Sequence, residues 1–303
     1  VSLGRSGRFG EHRGPDRRQA PRRSSSRASP IPGGTFVDIN AIAEVARKHG
    51  LPLIVDNTMA SPYLIQPIEH GADIVVHSLT KFIGGHGNSM GGVIVDGGSF
   101  DWSKSGKYPM LSEPRPEYGG MVLHETFGNF AFAIACRVLG LRDFGPPISP
   151  FNAFMILTGI ETLALRMQRH SDNALEVANW LPNTTRCLGV YAGRPSMRTT
   201  RLQQRYSPKG GGAVFTFGLK GGYESGVKFV EGLEMFSHLA NIGDTRSLVI
   251  HPASTTHRQL TPEQQAQAGA APMWSACRSA SKMWKTSSPI WSRPSLQVTT
   301  WHW

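Results

Sequence analysis

The sequence predicts an α/β fold built on a mostly parallel sheet, and three observations carry that prediction. An amphipathic helical pattern at residues 39–48 runs directly into a short, wholly apolar strand pattern at 51–55. Two further runs of the same kind follow, Asp73–His77 and Gly92–Val95. Polar clusters then sit at the carboxyl ends of the first two runs: Asp56-Asn57-Thr58, and Ser78-Leu79-Thr80-Lys81. Short strands that are apolar at every position belong to sheets covered on both faces.

Each element has local reasons. Asp38 is a suitable N-cap, and Ile39, Ile42, Val45 and Ala46 recur at helical spacing behind it. Lys48 and His49 suit the helix C-terminus, and Gly50 the residue beyond it. From Phe151 to Leu181 the apolar spacing predicts one long helical connector between a large and a small domain. Residues 210–219 read as a strand after a glycine turn. Residues 225–239 read as a helix with Val227, Val230, Leu233 and Phe236 inward. The predicted organisation is a basic tail over 1–30, a large-domain segment over 31–150, the connector and a smaller α+β domain over 151–273, and a Trp-rich tail over 274–303.

The formal net charge is +11 over 303 residues. It is concentrated at the ends: residues 1–30 carry eight Arg against Glu11 and Asp16, and residues 274–303 carry four cations and no acid. The body between them is near neutral, so charge gives no reason to expect a nucleic-acid partner. Five of the seven Trp also fall in the last 30 residues. Neither tail has a consistent apolar period, and both are expected to be disordered. No run approaches the roughly 20 apolar residues of a membrane span. Cys136, Cys187 and Cys277 are odd in number and far apart, which disfavours a disulfide framework or zinc site and favours a reducing, cytoplasmic compartment. His77, His86, His251 and His257 lack metal-ligand spacing and read as loop or packing residues; no metal is expected.

In open α/β sheets, ligands bind beyond the carboxyl ends of strands. Here those ends present an amine (Lys81), a carboxylate (Asp56) and hydroxyls (Ser78, Thr80), followed by the glycine-rich stretch Phe82–Asn88. A carbonyl cofactor needs such a set: an amine to condense with it, a carboxylate for a ring nitrogen, and hydroxyls for a phosphate. By residue type alone the bland reading stays open, with a solvated lysine and an Asp-Asn-Thr turn.

The stretch LPLIVDNTMASPYLIQPIEHGADIVVHSLTKFIGGHGNSMGGVIVDGGSFDW, residues 51–102, closely resembles the Cys/Met-metabolism family of pyridoxal-phosphate enzymes. FGNFAFAIACRVLGLRDFGPPISPFNAF and LANIGDTRSLVIHPASTTHRQLTPEQQ resemble its O-acetylhomoserine sulfhydrylase branch. The resemblance covers roughly 31–182 and 202–272. It implies a fold-type I transferase with pyridoxal 5'-phosphate on Lys81. Asp56 would face the pyridine nitrogen, Ser78 and Thr80 the phosphate, Thr58 the ring, and Ser247 the substrate carboxylate. Arg246 stands where the lyases and cystathionine synthases of the family commonly carry an acid, which favours the sulfhydrylase branch. The implied reaction is replacement of acetate on O-acetyl-L-homoserine by sulfide or methanethiol. Alternatives are a cystathionine γ-synthase or methionine γ-lyase type of the same family, or a non-catalytic basic binding protein.

Intact relatives are implied to be homo-oligomers with shared sites. A large N-terminal part of the family pattern is not matched, so exposed apolar surface is expected. The resemblance breaks before residue 31, between Asn183 and Arg201, and after Met273. Permitted codons for Met273–Lys285, read in a shifted frame, give DVVRLSVGIEDVE; Pro21–Ser29 gives KAVFVESL, and Thr184–Gly189 gives NHPVSW. The breaks are therefore expected to be frame shifts. The Arg of RLSVG, implied to hold the substrate carboxylate, is lost at Ser275 and Ala276, and little or no turnover is expected of the chain as written.

Overall fold

The computed structural model describes residues 24–27, 36–181, 187–191, 200–268, 270 and 274–278. Two sheets organise them. The first has the order β1-β2-β3-β4, formed by Ser24–Arg27 (β1), Leu53–Asp56 (β2), Ile74–Ser78 (β3) and Gly92–Asp96 (β4). β1 and β3 flank β2 in parallel, and β4 runs antiparallel to β3. Helix α1 (Ile39–Lys48) begins where expected, with the Asp38 carboxylate accepting from Ala41 N–H and Arg47 and Lys48 in its last turn. Period-two alternation divides the strands between two cores. Leu53, Val55 and Val75 pack with Ile39, Ala43 and Ala46 of α1 and with Leu64 of the short helix α2 (Ser61–Leu64). Ile54, Ile74 and Val76 face Trp102, Leu111, Leu123 and Ala131. That second layer comes from the short helices Pro109–Ser112 (α3), Leu123–Phe127 (α4) and Ala131–Ala135 (α5); Arg142–Phe144 (α6) follows them.

The connector is two helices rather than one. Pro150–Glu161 (α7) starts at the Ser149 cap with Pro150 in its first turn, and Leu163–Trp180 (α8) follows after a break at Thr162. The Thr162 N–H turns back to Gly159 O, closing α7 before α8 begins. α8 buries Ala174, Val177 and Ala178 against Phe215, Phe217 and Leu219 of the second sheet. That sheet has the order β5-β6-β9-β8-β7, formed by Cys187–Tyr191 (β5), Val214–Leu219 (β6), Ser237–His238 (β7), Leu248–Ile250 (β8) and Trp274–Arg278 (β9). Its pairs are antiparallel except β7 with β8. Helix α9 (Thr200–Tyr206) precedes β6, and α11 (Pro262–Gln267) lies between β8 and β9.

Three further expectations need correction. The tails are not wholly irregular: Ser24–Arg27 and Trp274–Arg278 form strands, because β2 on one side, and β6 and β8 together, present backbone groups that must be paired. The rest of both tails, and most of 183–201, lies outside the described residues. The helix read over 225–239 is Gly222–Glu231 (α10); it stops at Gly232, and Phe236 is buried from the loop beyond. The first sheet is not covered throughout. β4 leaves Val93, Ile94 and Val95 37%, 52% and 40% exposed, because it is the last strand of the described sheet. The expected exposed apolar surface is also present on α7, at Phe151, Phe154 and Leu157. Among the described residues no helix is long and apolar enough to cross a membrane, and no set of metal-ligating side chains converges.

Candidate active site at the strand ends

β2 and β3 end side by side, with Asp56 in register with Val76. Their polar ends are stitched together. Thr58 N–H donates to Asp56 Oδ1 at 3.0 Å, and Ser78 N–H donates to Thr58 Oγ1 at 2.8 Å. Asp56, Thr58, Ser78, Thr80 and Lys81 are all partly exposed. Asn57 is fully buried, and its amide donates to Ser61 O (3.1 Å) and Ile65 O (2.8 Å). Those bonds hold a turn in which Ser61 takes φ +57, a left-handed conformation rare for a non-glycine residue. His77, beside Asp56, is buried, and burial pushes its pKa down against the opposing Asp56 charge and a hydrogen bond with the Asn57 backbone.

Lys81 occupies a one-turn π-helix, Leu79–Ile83, interrupted at the lysine itself (φ −91, ψ −127). Its amine donates to Asn241 Oδ1 at 2.7 Å, across 160 positions of sequence. Gly243 lies against the Lys81 backbone so closely that a Cβ there would sit 2.5 Å from Lys81 Cα, and its φ is +100. The Asn241–Gly243 segment, between β7 and β8 of the second sheet, therefore roofs the lysine turn that follows β3 of the first.

The sequence-predicted residues are not all in equivalent positions. Asp56, Thr58 and Ser78 form one bonded chain. The Thr80 hydroxyl instead faces Gly91, accepting from its N–H at 3.2 Å, and so ties the lysine turn to the start of β4. Ser247 is buried at the entrance to β8, its carbonyl paired with Ser237 N–H. Asn241 and Gly243 were not found from sequence. Their only signal was membership of the same loop as Ser247, since the contact that matters spans 160 positions of sequence.

These donors fit a pyridoxal-phosphate group by their chemistry: an amine on a kinked turn, a carboxylate at the neighbouring strand end, and hydroxyls between them. The chain matches the Cys/Met metabolism PLP-dependent enzyme family over residues 29–273, and it belongs to that family. Its similarity is strong to O-acetyl-L-homoserine sulfhydrylase of Leptospira meyeri, 53% identical over 246 residues covering 78% of this chain and 55% of that protein. O-acetyl-L-homoserine sulfhydrylase 1 of Thermus thermophilus is 51% identical over 80% of this chain and 58% of its own length. A Campylobacter jejuni structure described as an O-acetylhomoserine (thiol)-lyase, carrying an N'-pyridoxyl-lysine-5'-monophosphate, superposes with TM-score 0.80 at 34% identity. It covers 86% of this chain and 62% of that one. The chain thus spans about half the length of the curated relatives it matches. The expected fold-type I α/β architecture agrees with these neighbours.

Proposed function

We propose that this chain carries the lysine-bearing portion of a pyridoxal-phosphate enzyme that exchanges the acetate of O-acetyl-L-homoserine for sulfide or methanethiol. The single observation that carries the reading is the Lys81 amine, set on a kinked turn beside the Asp56 strand end and held 2.7 Å from Asn241 Oδ1. The sulfhydrylase names of the relatives near 50% identity support the choice of reaction within the family.

Pyridoxal phosphate, when bound, supplies an aldehyde for the lysine and an electron-withdrawing ring for the substrate carbon. Lys81 then moves protons at Cα and Cβ of the substrate, as base and acid. Asn241 holds the amine by accepting its hydrogen. Asp56 would keep a ring-nitrogen proton in place, and Thr58, fixed by its bond from Ser78 N–H, would contact the ring. Ser78 and Thr80 serve the phosphate, and Ser247 the substrate carboxylate. Homo-oligomeric assembly in the cytoplasm completes the reading. Turnover by the chain as written is low, because Ser275 and Ala276 replace the Arg that the family pattern sets there.

Incubation with pyridoxal phosphate, borohydride reduction and peptide mapping tests the site. The label should concentrate on Lys81 and vanish from that peptide in Lys81→Ala; a label spread evenly over surface lysines would refute the reading. Turnover is compared for O-acetyl-L-homoserine with sulfide against O-succinylhomoserine with cysteine, and against methionine alone. It is measured both in this chain and in a version with the shifted frame of 273–285 restored. Restored activity only with the second or third substrate would move the assignment to a synthase or a lyase.

A further inference from the structure

Arg166 lies on the inward face of α8, between Leu163, Met167 and His170, and is 8% exposed. Its guanidinium makes four hydrogen bonds, three of them to backbone carbonyls. Nη1 donates to Phe82 O at 2.6 Å, and Nη2 donates to Ile83 O at 3.2 Å and Gly159 O at 2.7 Å. Nε donates to Thr162 Oγ1 at 3.0 Å. Among the described residues no carboxylate pairs with it, and burial pushes its pKa down. A buried cation spent wholly on neutral oxygens is unfavourable for stability alone, since desolvation is not offset by an opposite charge.

Two of the carbonyls it holds belong to the two residues directly after Lys81. The backbone interruption at Lys81 prevents this segment from satisfying itself as a regular helix, so an outside donor is needed. Gly159 O and Thr162 Oγ1 anchor the same guanidinium to the junction of α7 and α8. Gly85 yields to it as well: a Cβ there would meet the guanidinium at 2.5 Å. Gly243 packs against the Lys81 and Phe82 backbone of the same turn. The turn is thus held both by α8 and by the Asn241–Gly243 segment.

We infer that Arg166 is a positioning residue. Its planar fork, bridging Phe82 O and Ile83 O to the α7–α8 junction, fixes the kinked turn that aims the Lys81 amine. A lysine presents its three donors from a single nitrogen and could not span these oxygens. The inference rests on the Lys81 reading above, so its test has one arm independent of the cofactor.

That arm is amide hydrogen exchange on the whole chain. The amides of Gly84 and Gly85 close the turn by bonding Leu79 O and Lys81 O. In Arg166→Gln they should exchange about tenfold faster, as loss of a charge-assisted bond implies, with a smaller rise in Arg166→Lys and none in α10. The second arm is reductive labelling with pyridoxal phosphate and borohydride, with Lys220 and Lys228 as internal controls. The Lys81 share of label should fall about tenfold in Arg166→Gln and partly recover in Arg166→Lys. Unchanged exchange at Gly84 and Gly85 overturns the inference. So does loss of the whole fold in both variants, which would make Arg166 a scaffold cation. Absence of Lys81 label in the unsubstituted chain would count against the cofactor reading alone, and the exchange arm would then decide the clamp.

Discussion

Gly243→Ala is the substitution whose effect the structure defines most sharply. Two costs are separable. The first is conformational: φ is +100, a region an L side chain enters at about 1–2 kcal/mol. The second is steric. The new Cβ would sit 2.5 Å from Lys81 Cα and closer still to the Lys81 carbonyl carbon and Phe82 N, all of them backbone atoms that no rotamer change can move. Relieving the overlap takes about 1 Å of movement, and overpacking of this kind costs about 1–3 kcal/mol. A shift of that size also opens the 2.7 Å bond from Lys81 Nζ to Asn241 beyond hydrogen-bond range. The control is Gly106→Ala, where φ is +62 and nothing lies within 4 Å of the new Cβ, so only the conformational cost applies. Urea denaturation should place Gly106→Ala about 1 kcal/mol below the parent and Gly243→Ala about 3 kcal/mol below it. Lys81 labelling by pyridoxal phosphate should fall in Gly243→Ala and be unaffected in Gly106→Ala. Equal midpoints for the two variants, with Lys81 labelling intact in both, would refute the roof over the lysine turn.

Three further outcomes follow from contacts already described. Thr58→Val removes the acceptor of Ser78 N–H and should cost about 1–2 kcal/mol in urea denaturation, while Thr58→Ser keeps it and should cost little. Asp38→Ala removes both the α1 cap and one of the two acceptors, with Asn40 Oδ1, of the Tyr206 hydroxyl, which ties α9 to α1. It should cost about 1–2 kcal/mol, and a double-mutant cycle with Tyr206→Phe should show coupling rather than additivity. Burial lowers the His77 pKa in the folded chain, so the unfolded chain takes up the proton first as pH falls. The stability associated with neutral His77 is therefore complete above about pH 6.5 and lost below it, at up to about 1.4 kcal/mol per pH unit until the folded-state pKa is reached. His70, lowered for the same main reason, adds to that slope. Urea midpoints between pH 5 and 7.5 should flatten in His77→Asn, and an unchanged slope would remove His77 from the account.

What could be read from the sequence was local. Asp38, the apolar spacing behind it and Gly50 place α1 without help from the rest of the chain. The wholly apolar runs place β2 and β3, and their polar ends place Asp56, Ser78 and Lys81. What could not be read depends on partners distant in sequence. Arg166, Asn241 and Gly243 act on the Lys81 turn from 85 to 162 positions away, and no local pattern encodes that approach. Arg166 did leave a trace, as a cation on the buried face of α8.

β1 and β9 are the instructive failures. Ser-Ser-Ser-Arg has no preference for a parallel strand, and Trp-Ser-Ala-Cys-Arg shows no clean alternation. Position decides both: β2 would otherwise have an unpaired edge, and β9 occupies the slot between β6 and β8. In natural sequences local preference and tertiary position usually agree. Here they disagree at β1 and β9, two of the three strands, with β5, that fall inside the proposed frame shifts. The shifted readings remove the conflict, setting Val-Phe-Val-Glu across β1 and Val-Val-Arg-Leu-Ser across β9, each a strand-forming run. The same shift returns an Arg to β9, in the sheet whose β7–β8 side carries Ser247. Nucleotide sequence across the codons for Pro30, Asn183 and Pro272 checks the proposal, with peptide masses from the expressed chain. An uninterrupted frame matching all 303 residues would refute it, and β1 and β9 would then be strands held by their neighbours alone.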